Sequence, residues 1–146
     1  MNVTTPVDLS PLPHPVKVDK AKAEMWYRRA FDMGSVFAGT YNNLGSILVD
    51  KQQWVEAERM YRRTIELDPQ DAKAISNLGI LMVQRQDGQR NVDEAERLYR
   101  RAIKVDPQNA MAMNNLGNLM KNRQDGQRNV KEAERWYRRA IKVDPQ

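Results

Sequence analysis

Residues 85–108 read RQDGQRNVDEAERLYRRAIKVDPQ, and residues 123–146 read RQDGQRNVKEAERWYRRAIKVDPQ. Only two of these 24 aligned positions differ, Asp93/Lys131 and Leu98/Trp136, so the stretches are copies of one unit. Tyr-Arg-Arg marks further copies, starting at Tyr27, Tyr61, Tyr99 and Tyr137 with steps of 34, 38 and 38 residues. Asn-Leu-Gly recurs in step at Asn43, Asn77 and Asn115, and Asp-Pro-Gln closes units at Pro69, Pro107 and Pro145. A period of this length marks an array in which each unit buries its apolar face on the next.

Each unit reads as two helices. Ile75, Leu78 and Met82 fall at helical spacing and predict a first helix from about Ala72 to Gln84. Gly79 lies inside it, where a side chain would block close helix–helix approach. Gln86-Asp87-Gly88-Gln89 carries a turn signal. Asn91-Val92-Asp93-Glu94, repeated as Asn129-Val130-Lys131-Glu132, has an N-cap residue with Glu three places on, the pattern of a capping box. The second helix carries Ala95, Leu98, Tyr99, Ala102 and Ile103 on one broad face and stops at Asp106, because Pro107 disfavours helix in the residue before it. Apolar runs of period two are absent, so the expectation is all-α.

These residues resemble the tetratricopeptide repeat. Tyr41, Leu44, Gly45 and Leu48, then Ala57, Tyr61, Thr64 and Pro69, follow its pattern. The next copies follow with Ile75, Leu78, Gly79, Met82, Ala95, Tyr99, Ala102 and Pro107, and with Met113, Leu116, Gly117, Met120, Ala133, Tyr137, Ala140 and Pro145. Two departures are similar to Sel1-like repeats. The later copies have four extra residues between their helices, and the first ends Phe31-Asp32-Met33-Gly34-Ser35 without Asp-Pro. The first copy is half a repeat: Lys20 to Met33 aligns with a second helix, while Pro6, Pro11, Pro13 and Pro15 upstream forbid a partner helix. The expected organisation is a flexible proline-rich leader at 1–19, a half repeat at 20–39 and repeats at 40–71, 72–109 and 110–146. That makes about seven helices, and the resemblance implies a right-handed α-solenoid with first helices lining a concave groove and second helices outside. The leader's Pro11–Pro15 stretch could also serve an aromatic-lined groove, but a disordered leader is the reading preferred.

Composition removes most other classes. The 146 residues hold no Cys and one His (His14), which excludes disulfide scaffolds, thiolate zinc sites and His-pair metal centres. Charged residues reach 29% and mean hydropathy is −0.79, so no apolar run is long enough to span a bilayer. The N-terminus lacks a basic and an apolar signal region, which points to a cytoplasmic protein. Phosphate-loop and calcium-loop spacings are missing. The carboxylates Glu56, Glu94 and Glu132, and Asp68, Asp106 and Asp144, recur with the repeat, whereas a catalytic site is singular. The reading is a binding protein, no enzyme, with no cofactor.

Groove candidates follow from the implied placement: Asn42, Asn43, Ser46, Lys73, Ser76, Asn77, Ile80, Asn114, Asn115, Asn118, Lys121 and Asn122. An amide offers a donor and an acceptor together, so Asn43, Asn77 and Asn115, one per repeat, would make a ladder for the backbone of an extended peptide. In the family this position contacts ligand backbones. The alternative is that each amide bonds a neighbouring helix. Some members clamp a chaperone's C-terminal carboxylate with five residues; only Asn43 and Lys73 match here, so that clamp is not expected.

On the outside, Glu24/Arg28, Glu58/Arg62, Glu96/Arg100 and Glu134/Arg138 are i,i+4 pairs of favourable order. The second row, Arg59/Arg63, Arg97/Arg101 and Arg135/Arg139, would form a basic ridge. Net charge is +5 in all and is gathered at the C-terminal side, with +4 in residues 110–146. Nucleic acid is disfavoured, because Tyr61, Tyr99 and Tyr137 belong to the apolar face and leave the ridge no stacking platform. A solvated face is the default for the ridge. The sequence also reaches Gln146 directly after the last Asp-Pro, with Trp136 in place of Leu98. Two expectations follow: the array is a fragment of a longer one, or this end pairs with another copy of the chain in a homo-oligomer. A protein or peptide held in the groove is the leading functional expectation, ahead of self-association and of RNA binding through the ridge.

Overall fold

A computed structural model describes residues 19–124 and 129–145; residues 1–18, including the proline-rich stretch, lie outside the described residues. Among the described residues there are seven helices and no strand: α1 (Lys20–Asp32), α2 (Ala38–Asp50), α3 (Trp54–Leu67), α4 (Ala72–Gln84), α5 (Val92–Val105), α6 (Ala110–Asn122) and α7 (Val130–Val143). They build a right-handed α-solenoid in which α2 packs on α3, α4 on α5 and α6 on α7, each pair resting on the one before. The core is the continuous seam between pairs, from Tyr41, Leu44 and Leu48 through Ile75, Leu78 and Leu81 to Met113 and Leu116.

Local chemistry sets the boundaries. Asp71, Asn91, Asn109 and Asn129 each accept the backbone N–H three residues on, satisfying a donor that the first helical turn leaves over. The capping box expected at Asn91 and Asn129 is only half made. Their own N–H groups donate to the carbonyls of Met82 and Met120, both at 2.9 Å, so Glu94 and Glu132 are not needed there. The N–H of Gln53 makes the same 2.9 Å bond to Leu48 in the pair with the shorter loop. The helix junction is therefore closed in the same way whether the loop before it is short or long. Gly88, at φ +79°, makes the turn within the longer loop.

The released glutamates take part in a relay of charge between pairs. Glu94 receives Arg62 at 2.8 Å, and Glu132 receives Arg100 at 2.7 Å. Arg62 and Arg100 also hold Glu58 and Glu96 one turn back, and these carboxylates in turn receive Arg85 and Arg123 at 2.7 Å. The pattern begins with Lys51, Glu24, Arg28 and Glu56. Arg85 and Arg123 have side chains only 2% exposed, although each follows a helix in a polar stretch. Arg85 is also held by Asp87, at 2.7 Å, a carboxylate that the inserted loop supplies.

Candidate functional site

Between α4 and α6 the inner surface opens into a recess of about 530 Å³. Ile80, Val83 and Leu119 give it apolar walls, and Tyr99, the amides of Asn115, Asn118 and Asn122, and Arg90 and Arg123 line the rest. Tyr99 reaches the groove from the outer helix α5 because Gly79 lets its ring lie against α4. A Cβ at Gly79 would stand 2.8 Å from Tyr99 Cε1, and Gly45 and Gly117 meet Tyr61 and Tyr137 in the same way.

The three tyrosines differ at the hydroxyl. Tyr61 pairs with Ser46 at 3.2 Å, and Tyr137 donates to Asn118 at 2.7 Å. The residue of α4 in the place of Ser46 and Asn118 is Ile80, which offers no hydrogen bond. The Tyr99 hydroxyl thus has no partner among the described residues and lines the recess, while burial pushes its pKa up. Sequence reasoning assigned Tyr99 to the core alone. The signal that could have found its second role is Ile80, the apolar residue in a column otherwise of Ser and Asn.

The asparagine column divides. Asn43 Nδ2 donates to the Tyr27 hydroxyl at 3.1 Å, and Asn77 Nδ2 donates to Asn42 Oδ1 at 3.1 Å. Asn42 is itself buried, between α2 and α4. Asn115 has no such bond among the described residues and lines the recess. Lys73, Asn114, Asn118 and Lys121 are exposed on α4 and α6. The amides are therefore not equivalent, and those available to a ligand gather toward α6.

The outer arginines also divide. Arg63 pairs with Glu66 at 2.9 Å, Arg101 donates to the Pro69 carbonyl at 3.1 Å, and the Arg139 guanidinium lies over the Trp136 ring at 5.6 Å. Arg59, Arg97 and Arg135 are exposed. Among the described residues no three His, Cys, Asp or Glu side chains come together as a metal site would require. No described helix is long and apolar enough to cross a membrane.

Tetratricopeptide-repeat profiles match residues 40–73 and 80–146, and a Sel1-repeat profile matches residues 13–35. The chain is a tetratricopeptide repeat protein. The Sel1 accent thus falls on the first helix, and the long-loop pairs score as tetratricopeptide repeats. Solved structures agree on the fold. MamA matches with a TM-score of 0.65 at 19% identity, over 87% of this chain and 79% of that one. A MamA RS-1 double mutant gives 0.69 at 18%, over 87% and 67%. YrrB, titled a TPR protein with an unusual peptide-binding site, gives 0.69 at 23%, over 87% of this chain and 61% of that one. No curated protein matches the sequence significantly. Repeats of this class support a protein-interaction scaffold.

Proposed function

We propose that this tetratricopeptide array holds an extended segment of a partner protein in its concave groove, with the recess between α4 and α6 as the principal subsite. The observation that carries the reading is the pair of unpartnered polar groups there, the Tyr99 hydroxyl and the Asn115 amide, beside apolar walls. Such a site takes an apolar side chain on Ile80, Val83 and Leu119. The amide and hydroxyl then fix the backbone on either side, the usual division between apolar area and a few convergent polar groups. That YrrB, a neighbour in fold, is titled for a peptide-binding site is consistent with this use of the groove.

The test is a random-peptide display selection against the whole chain. Selected peptides are expected to lose at least tenfold in affinity for Ile80→Arg, which fills the recess and removes an apolar wall. They should lose about two- to tenfold for Tyr99→Phe and for Asn115→Ala, the value of one hydrogen bond. Asn43→Ala, whose amide already has a protein partner, should change little. Peptides that bind Ile80→Arg and Asn115→Ala as well as the wild type would overturn the proposal.

A further inference from the structure

The recess between α4 and α6 carries a charge as well as apolar walls, and the longer loop supplies it. Asn91 and Gln53 close their helix junctions in the same way, so Arg90 stands in the place of Gln52. Arg90 is exposed and lines the recess. The carboxylates nearest to it along the chain are all engaged elsewhere. Asp87 is held by Arg85 at 2.7 Å, Asp93 by Arg123 at 2.6 Å and Glu94 by Arg62 at 2.8 Å. Arg90 itself has no hydrogen bond or ion pair among the described residues. The pair with the short loop has no equivalent: Gln52 is neutral, and Lys51 is tied to Glu24 at 2.6 Å.

The inner helices have the same sign. Neither α4 nor α6 contains an Asp or a Glu, and each carries one exposed lysine, Lys73 and Lys121. On α2, Asp50 meets Lys20 at 2.6 Å. Among the described residues no carboxylate lines the recess, whereas Arg90 and Arg123 do. Arg123 already has Asp93 and Glu96, so the cation without a partner is Arg90. The C-terminal ends of α4 and α6 act against an anion, but a helix end amounts to about half a charge. The Met82 and Met120 carbonyls there are also taken, by the N–H groups of Asn91 and Asn129 at 2.9 Å. The full charge of a guanidinium outweighs what is left, and its planar fork of donors matches a carboxylate.

We propose that the segment held in the groove is acidic: the residue that fills the apolar part of the recess is flanked by an Asp or Glu side chain, whose carboxylate pairs with Arg90. The inference rests on the reading of the groove as a peptide site and adds a charge preference to it. An exposed ion pair of this kind chooses between segments more than it tightens binding. The longer loop thereby gives the array a selectivity that the α2–α3 pair lacks.

Peptides selected from a random display library against the whole chain are expected to carry Asp or Glu beside their apolar anchor more often than the unselected library does. For the tightest of them, followed by fluorescence anisotropy, replacing that acid by Gln or Asn should cost about two- to fivefold, the scale of an exposed pair. Arg90→Glu, at an exposed position with no bond to lose, should keep the wild-type circular dichroism and reverse the preference. The peptide with Lys in place of its acid then binds better than its parent. Amidating the peptide's C-terminus should change nothing, because the carboxylate is a side chain's. Asn115→Ala and Tyr99→Phe leave the charge unchanged and report on the groove alone. If they weaken binding while Arg90→Glu keeps the wild-type order of acidic, neutral and Lys peptides, the groove reading stands and this inference is overturned. Sensitivity to amidation without sensitivity to the acidic side chain also overturns it, and assigns Arg90 to a chain terminus. If none of the three variants alters binding, or no peptide is selected, both readings fall.

Discussion

At the scale of single residues, the glycine–tyrosine contact joins stability to the candidate site. In Gly79→Ala the new methyl would lie 2.8 Å from Tyr99 Cε1, so the ring that walls the recess must shift. Overpacking of this kind costs about 1–3 kcal/mol, against about 1 kcal/mol recovered in helix propensity. Gly39→Ala is the control: it is helical, and nothing lies within 4 Å of its added Cβ. Urea denaturation should show net destabilisation for Gly79→Ala and a gain of about 0.5–1 kcal/mol for Gly39→Ala. Equal shifts would remove the packing account. The packing role of Gly79 was legible in the sequence, because its column pairs in register with Tyr. The division among the asparagines was not. Whether an amide is available depends on Tyr27 and Asn42, 16 and 35 residues away from Asn43 and Asn77 respectively, and a repeated motif hides that difference. The buried arginines were missed for a similar reason: Arg85 sits beside Gln, Asp and Gly, and only the fold brings Glu58 to it.

Between elements, the relay of charge explains why glutamates that look like helix-start residues recur: they tie each outer helix to the one before. Two carboxylates hold Arg85, and taking both away leaves a guanidinium 2% exposed with no counter-charge and only Gln89, at 3.4 Å, as an acceptor. The double variant Glu58→Gln, Asp87→Asn is therefore expected to lose about 3–5 kcal/mol, the range for a broken buried pair. Arg85→Met should stay within about 1 kcal/mol of wild type. It buries an apolar chain of similar length, while Glu58 keeps Arg62 and Asp87 turns to water. Acid should act through the same groups. The Lys51 and Arg28 contacts hold Glu24 below the ordinary value of 4.5; burial raises Glu58, but its bonds to Arg62 and Arg85 outweigh that and lower it; Arg85 lowers Asp87. Because the folded values are lowered, the unfolded chain takes up protons first. The stability they confer is full above about pH 4.5 and is lost as pH falls through the folded values. Denaturation midpoints of the wild type should drop below that pH, and those of the double variant should drop less. Parallel pH profiles would show that the relay adds no stability.

Over the whole molecule, the stack is quasi-one-dimensional: each pair touches only its neighbours, and stability accumulates from pair energies and the interfaces between pairs. Corresponding residues record the gradient. Trp26 on α1 is 60% exposed where Met60 on α3 is 3% exposed, and Ile141 on α7 is 61% exposed where Ile103 on α5 is 6% exposed. The best-covered helices are then α4 and α5, with pairs on both sides, and the recess is built on the same α4 and on α6. Amide hydrogen exchange should follow this order, with the strongest protection in α4 and α5, less in α7, and the least in α1. A ligand in the recess bridges α4 and α6 and should raise protection at that interface more than in α1, because coupling weakens with each interface crossed. If α1 instead exchanged as slowly as α4, the relay would be stiff enough to make the array open as one block. Binding in the groove would then raise protection in α1 and α7 as much as in α4.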